Sequence, residues 1–247
     1  MRESRNIQMT DVVWLEQSQA ELPAGDEWFG ESEAATFRAL RFEKRRSDWR
    51  LGRWTAKRAV AAHLGMDERA GSLARLEIVP APSGAPEVFL DRRPVAIAIS
   101  LSHRNGVALC ALGSPGAELG CDLELIEPRS ASFAETYFTA KELEIASAAP
   151  PESRAYLETL VWSAKESALK ALGAGLQLDT RMVRVDLSGT ELEGTPQSFR
   201  EWSPLRVCYT NGETFGGWWR YEGRLLRSVV AWPPPHIPNP IAAAIRA

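Results

Sequence analysis

Hydrophobic residues recur along this chain at two periods, one near 3.6 and one of 2, and these divide it into helices and strands. Over about residues 153–172, Tyr156, Leu157, Leu160, Val161, Ala164, Ala168 and Leu172 fall on one side. That stripe is the core face of a long helix, and Gly173 is its stop. Trp162, Glu166 and Lys170 make a second stripe almost opposite. Residues 31–64 are also helical in pattern, with Ser47 predicted as an N-cap and Gly65 as the stop. Thr139-Ala-Lys-Glu142 has capping-box spacing for a short helix that Ala149-Pro-Pro151 ends. Strands are predicted over 95–102 and 106–112, joined by a turn at His103-Arg104-Asn105. A third runs over 119–126, where Leu119, Cys121, Leu123 and Leu125 face one way and Asp122 and Glu124 the other. The loop over 80–86 is rich in Pro and Gly, and the Trp-rich C-terminal third reads as strands and hairpins ending at Pro233-Pro-Pro235.

Composition narrows the class. The 247 residues suffice for one large domain or two small ones. With 45% hydrophobic and 25% charged residues the chain is an ordinary soluble protein by composition. A net charge of −3 leaves no general basic field for nucleic acid or anionic membrane. No apolar run approaches the roughly 20 residues of a membrane span, and Met1-Arg-Glu-Ser-Arg-Asn6 lacks the apolar core of a secretory signal. Cys110, Cys121 and Cys208 are scattered, without zinc-like spacing. The reading is a reduced, cytoplasmic protein with no nucleic-acid or membrane partner.

The candidate chemistry lies in two segments about forty residues apart. Asp122 and Glu124 share one strand face, and Glu166 and Lys170 stand one helical turn apart. A Glu–Lys pair at this spacing is usually a solvated surface pair worth a few tenths of a kcal/mol. Trp162 on the same stripe argues for a partly enclosed face instead. Brought together, Asp122, Glu124 and Glu166 form a three-carboxylate cluster edged by Lys170. Hard oxygen ligands of this kind suit Mg²⁺, with Mn²⁺ as a substitute, held against phosphate. Ser102 and His103 at a strand end make a phosphate-contacting corner. Arg50, Arg53 and Lys57 share one helical face, either a solvated basic stripe or a phosphate docking surface.

Jointly these residues resemble the 4′-phosphopantetheinyl transferases of the Sfp (surfactin-pathway) type. The family signature is Gly-Ile/Val-Asp-x-Glu, then, after about forty residues, Trp-Ser/Thr/Cys-x-Lys-Glu-Ala/Ser-x-x-Lys. The chain has Gly120-Cys121-Asp122-Leu123-Glu124 and Trp162-Ser163-Ala164-Lys165-Glu166-Ser167-Ala168-Leu169-Lys170. Phe138-Thr139-x-x-Glu142, Gly173-x-Gly175-Leu176, Ser102-His103 and the basic segment 51–58 are similar to further family features. The family's Gly-Lys-Pro loop is Gly84-Ala85-Pro86 here, and Cys121 replaces an aliphatic residue.

The resemblance implies an α+β fold of two similar, pseudo-twofold-related lobes, each a long helix packed on a small, mostly antiparallel sheet. Division at 1–116 and 117–247 is expected, with coenzyme A between the lobes. The implied reaction moves the 4′-phosphopantetheine arm of coenzyme A onto a serine of an apo acyl or peptidyl carrier protein and releases 3′,5′-ADP. Asp122, Glu124 and Glu166 would hold Mg²⁺, and Glu166 or a metal-bound water would take the serine proton. Lys170 would contact the pyrophosphate and assist the leaving group. Ser102, His103, Pro86 and a choice among Arg45, Arg46, Arg50, Arg53 and Lys57, with Arg50, Arg53 and Lys57 preferred, would contact coenzyme A. The protein is expected to be a monomer. Its carrier docking patch is placed at Arg129, Phe133, Tyr137, Phe138 and Lys141, against the alternative that Phe133 and Phe138 pack beneath the loop. A competing reading is a catalytically silent module that binds coenzyme A or a carrier. No Walker-type glycine loop supports another nucleotide phosphotransferase.

Overall fold

The computed structural model describes residues 9–173, 178–187 and 201–241, so Gly175-Leu176 lies outside them. The fold is α+β, with long helices packed on mostly antiparallel sheets. One sheet has the order β12-β1-β6-β5, formed by Asn239–Pro240, Val12–Ser18, Val107–Gly113 and Ala98–Arg104. A second has the order β7-β11-β10-β9-β8, from Glu118–Leu125, Leu225–Trp232, Thr214–Glu222, Ser203–Tyr209 and Val183–Asp186. A small third sheet joins β2 (Leu76–Pro80), β3 (Pro86–Leu90) and β4 (Arg93–Pro94). Helices α1 (Glu31–Ala39), α2 (Glu43–His63) and α3 (Ala70–Ala74) precede the small sheet; α4 (Ala131–Tyr137), α5 (Ala140–Ala148) and α6 (Pro151–Ala171) follow β7. Among the described residues no helix is long and apolar enough to cross a membrane.

Most of the periodic pattern is realised. On α6, Leu157, Leu160, Val161, Ala164 and Ala168 are buried, and Gly173 takes the left-handed conformation (φ 66°) that ends the helix. The capping box of α5 is present, Thr139 Oγ1 accepting from the Glu142 amide and Glu142 Oε2 from the Thr139 amide. Two expectations need correction. The helical region 31–64 is broken into α1 and α2 because Leu40 and Phe42 are extended. Ser47 therefore lies inside α2, where its hydroxyl accepts a hydrogen bond from Gln19. The hairpin turn falls at Asn105-Gly106, both at positive φ, the residue pair that a two-residue hairpin favours. His103 and Arg104 thus belong to β5, paired with Ala108 and Val107.

The two larger sheets meet along β5 and β7 through side chains. Ser100 Oγ accepts the Cys121 N–H at 2.9 Å. Val12, Leu109, Ala111, Leu119, Cys121, Leu123, Val229 and Ala231 fill the seam. Arg227 on β11 grips Glu16 on β1 through two contacts of 2.6 Å, a bidentate, charge-assisted pair.

Both long helices, each of 21 residues, carry a fully buried lysine at the same position along their length, Lys57 in α2 and Lys165 in α6. Lys57 pairs with Glu33 and donates to the Trp28 carbonyl at 2.7 Å. Lys165 pairs with Glu142 at 2.9 Å and donates to the carbonyls of Thr180 and Val183. The glutamates match too. Glu33 accepts the Gly30 and Ile78 amides, and Glu142 accepts the Thr139 and Val185 amides. Burial lowers the pKa of both lysines, opposed by the partner carboxylate. Each unit ties a long helix, the start of a short helix and a strand together. Removing one partner strands a buried charge, so Lys165→Ala is expected to cost about 3–5 kcal/mol in urea unfolding. An unchanged midpoint would show that the pair is not structural.

Candidate active site

Helix α6 lies directly on β7, and a missing side chain permits it. A Cβ at Gly120 would stand 1.8 Å from the Ser167 carbonyl oxygen and 2.8 Å from the Ala171 nitrogen. Ser228 of β11, paired in register with Asp122, exchanges hydrogen bonds with Ser163 and Ser167 of α6, both at 2.8 Å. The helix is thereby fixed in rotation, and its Trp162–Glu166–Lys170 stripe faces the acidic side of β7.

The side chains meet as follows. Lys170 Nζ donates to Asp122 Oδ1 at 2.8 Å and to the Cys121 carbonyl at 3.0 Å. Ser102 Oγ donates to the same Asp122 oxygen at 2.9 Å. Trp162 Nε1 donates to Glu124 Oε1 at 2.9 Å. Arg129 and Arg104 approach Glu124 Oε2 at 3.3 and 3.5 Å. Burial raises the Glu166 pKa to about 7; Asp122 adds to the rise, as does Glu124, and Lys170 opposes it. Burial lowers the Lys170 pKa, but Asp122 and its neighbours more than offset that, so the ammonium is held above its ordinary value.

Whether these acids suit a cation can be read from their unused atoms. Asp122 Oδ2 and Glu166 Oε1 are buried without a hydrogen-bond partner, whereas Glu124 Oε2, also without a hydrogen bond, already faces two arginine cations. A buried carboxylate oxygen without a donor costs free energy unless a cation meets it. Together with the raised Glu166 pKa, this marks surplus negative charge beside hard oxygen donors, which fits a divalent cation of the Mg²⁺ type. The ligand shell is not assembled, however. Among the described residues no three His, Cys, Asp or Glu side chains stand together as a metal-binding group. Glu124 is the member turned aside, held by Trp162 and the arginines.

A cavity of about 750 Å³ opens beside this cluster. It runs from Asp48, Trp49 and Arg53 on α2, past Ser83–Pro86 and His103, to Lys170 and Gly173. Of the residues expected to touch a ligand, Arg53, Pro86, His103 and Lys170 line it. Ser102 does not; it is buried and bonded to Asp122. Arg50 does not either, since Asp26 and the carbonyls of Pro23 and Gly25 hold its guanidinium. Lys57 is wholly buried with Glu33, so its assignment to a phosphate surface is corrected. The periodicity that puts residues 50, 53 and 57 on one side was sound, but that side is split between a loop, the cavity and the core.

The expected partner patch also changes. Phe138 is buried, and Phe133 and Tyr137 pack against Trp162, edge-on and tilted, with ring centroids 4.9 and 5.0 Å away. Arg129 covers Phe133 at 4.8 Å. These rings pack beneath the loop, and only Lys141, paired with Glu144, remains open. Sequence reasoning missed Arg104 and Arg129 beside Glu124, and Trp49, over whose ring Arg53 lies at 4.9 Å. Arg129 is five residues beyond Glu124, and that short spacing was the available signal.

Gly120→Ala tests the helix contact. The added methyl must push α6 from β7, so a loss of about 3 kcal/mol is expected by urea unfolding. Stability within experimental error of the parent would show that the contact is loose.

Part of the chain is similar to proteins of known family. Residues 118–210 match the family model of the 4′-phosphopantetheinyl transferase superfamily. The 4′-phosphopantetheinyl transferase HetI of Nostoc sp. is 31% identical over 111 residues, 44% of this chain and 45% of that protein. A putative 4′-phosphopantetheinyl transferase of Synechocystis sp. is 28% identical over 126 residues, 50% of each. The chain spans about half the length of the curated relatives it matches. The resemblance carried by the two motifs is thus borne out: both lie within residues 118–210, the segment similar to the 4′-phosphopantetheinyl transferase superfamily.

Proposed function

We propose that the protein transfers the 4′-phosphopantetheine arm of coenzyme A to a serine hydroxyl of an apo acyl or peptidyl carrier protein. The observation that carries this reading is the pair of unpartnered carboxylate oxygens, Asp122 Oδ2 and Glu166 Oε1, beside Lys170, at one end of a cavity sized for a small-molecule ligand. The family match over both motifs supports it. In this reading Asp122, Glu124 and Glu166 hold one divalent cation, Glu124 turning from its arginines to do so. That cation supplies Lewis-acid neutralisation of pyrophosphate charge and the countercharge that keeps the three carboxylates ionised together.

The chain's own residues then do the rest. Glu166, whose carboxylate keeps one oxygen without a hydrogen-bond partner, accepts the proton of the carrier serine. The serine oxygen bonds to the phosphorus that bears the pantetheine arm, and the bond from that phosphorus to the ADP oxygen breaks. Lys170, cationic and fixed by Asp122, meets the charge developing on that oxygen. Trp162 and the rings around it shield the reacting face from water. Arg53, partly desolvated with its Nε unpartnered, takes the 3′-phosphate of the leaving nucleotide. Incubation with coenzyme A, Mg²⁺ and a panel of apo-carriers, read by intact mass, tests the reaction. A silent binding module would retain coenzyme A and add no mass to any carrier.

Two outcomes are expected at the site. Transfer should stop with a chelator and return with Mg²⁺ or Mn²⁺, and Asp122→Asn or Glu166→Gln should weaken Mn²⁺ binding by at least about tenfold in titration calorimetry. Full activity and unchanged Mn²⁺ affinity in both variants would remove the metal assignment. At the other end of the cavity, a charge-assisted phosphate contact contributes about 1.5–3 kcal/mol. 3′-Dephospho-coenzyme A should therefore bind about tenfold or more weakly than coenzyme A, and Arg53→Ala should erase the difference. Equal affinities in the parent protein would sink the role of Arg53.

A further inference from the structure

We propose that the corner between α1 and α2 is the surface on which an acidic carrier domain docks, an inference that rests on the transferase reading above. Phe42 is 74% exposed, more than any other large hydrophobic side chain among the described residues. Arg38, Arg41, Lys44 and Arg45 surround it in sequence and are all exposed. The segment 38–46 carries these four cations and Arg46 against the single acid Glu43, in a chain whose net charge is −3.

This corner works against its own helix. Phe42 occupies the N-cap of α2 without any side-chain capping bond, where Ser, Thr, Asp or Asn contributes about 1 kcal/mol. Lys44 and Arg45 stand in the first turn, where the helix dipole disfavours cations. Arg46 is used internally, donating to the carbonyls of Phe37 and Leu40. Arg41 and Arg45 have no ion-pair partner among the described residues. Lys44 is compensated by an ion pair with Asp48, but Phe42 and Arg45 break local rules without a compensating internal contact among the described residues, which points to a surface shaped for another molecule. An exposed ring inside a collar of cations matches a protein face with carboxylates around an apolar spot.

Position agrees with chemistry. Asp48 and Trp49, one turn further along α2, line the cavity that leads to Lys170. Lys44 pairs with Asp48 at 2.8 Å, which places Lys44 beside the same opening. A protein seated on Phe42 therefore stands at the mouth of the cavity. The segment 129–141 lacks this openness, because its rings are packed on Trp162.

The test uses Phe42→Ala and the double variant Arg41→Glu/Arg45→Glu, all surface changes, assayed with coenzyme A, Mg²⁺ and the best apo-carrier of the panel. Carrier KM should rise about tenfold in each. Coenzyme A affinity and the melting temperature should stay at parent values, and the double variant should lose the parent's sensitivity to salt. Lys141→Glu, on the packed face, should leave carrier KM unmoved. Unchanged carrier KM in both corner variants, with transfer intact, overturns the docking surface and leaves the transferase reading standing. No transfer by the parent protein to any carrier overturns the transferase reading first, and the surface with it.

Discussion

The approach of α6 to β7 at Gly120 is the constraint on which the site depends. Hydrogen bonds in the site each contribute on the order of 1 kcal/mol net, too little to hold a 21-residue helix against a poor packing surface. Packing sets the distance, and the polar contacts follow from it. Where a β-carbon would collide with the Ser167 carbonyl, bare backbone lets the helix settle. Lys170 then reaches both the Cys121 carbonyl and Asp122. The Ser163–Ser167–Ser228 cluster fixes the helix's rotation, and rotation decides which face of α6 looks onto the acids.

That rotation separates two neighbours in sequence. Lys165 and Glu166 are about 100° apart around the helix. Lys165 points into the lobe, where Glu142 and two carbonyls satisfy it. Glu166 points towards β7, where it meets like charge and keeps one oxygen unpaired. One is a finished ion pair, the other an unfinished one. The unfinished group is costly to leave alone, which is why it marks a place for a cation and the finished pair does not.

Much of this was legible in the sequence, and the failures have physical reasons. The stripe of α6, its stop at Gly173 and the alternating β7 are local patterns, and local patterns survive folding. The grouping of Asp122 with Lys170 was legible only through the spacing of two motifs, since nothing local brings a strand to a helix. Lys57 was misjudged because its partner Glu33 lies on another helix, and no periodicity of α2 reports a contact made across elements. A signal did exist: Trp54-Thr-Ala-Lys57 and Trp162-Ser-Ala-Lys165 are nearly the same tetrapeptide, and the second lysine is buried as the first is. Glu124 was read as a ready ligand because the strand period gives its face but not its neighbours. Arg104 and Arg129 reach it from β5 and from the loop after β7.

The twin lysine units have one more consequence. Directly after the shared tetrapeptide the two helices diverge: Arg58 follows Lys57 and pairs with Glu68 at 2.6 Å, whereas Glu166 follows Lys165 and meets the charge of Asp122. A frame present twice thus carries a carboxyl of raised pKa once. An exchange of sign at a single position distinguishes the two long helices: after its buried lysine α2 carries a paired cation, and α6 an acid that meets like charge.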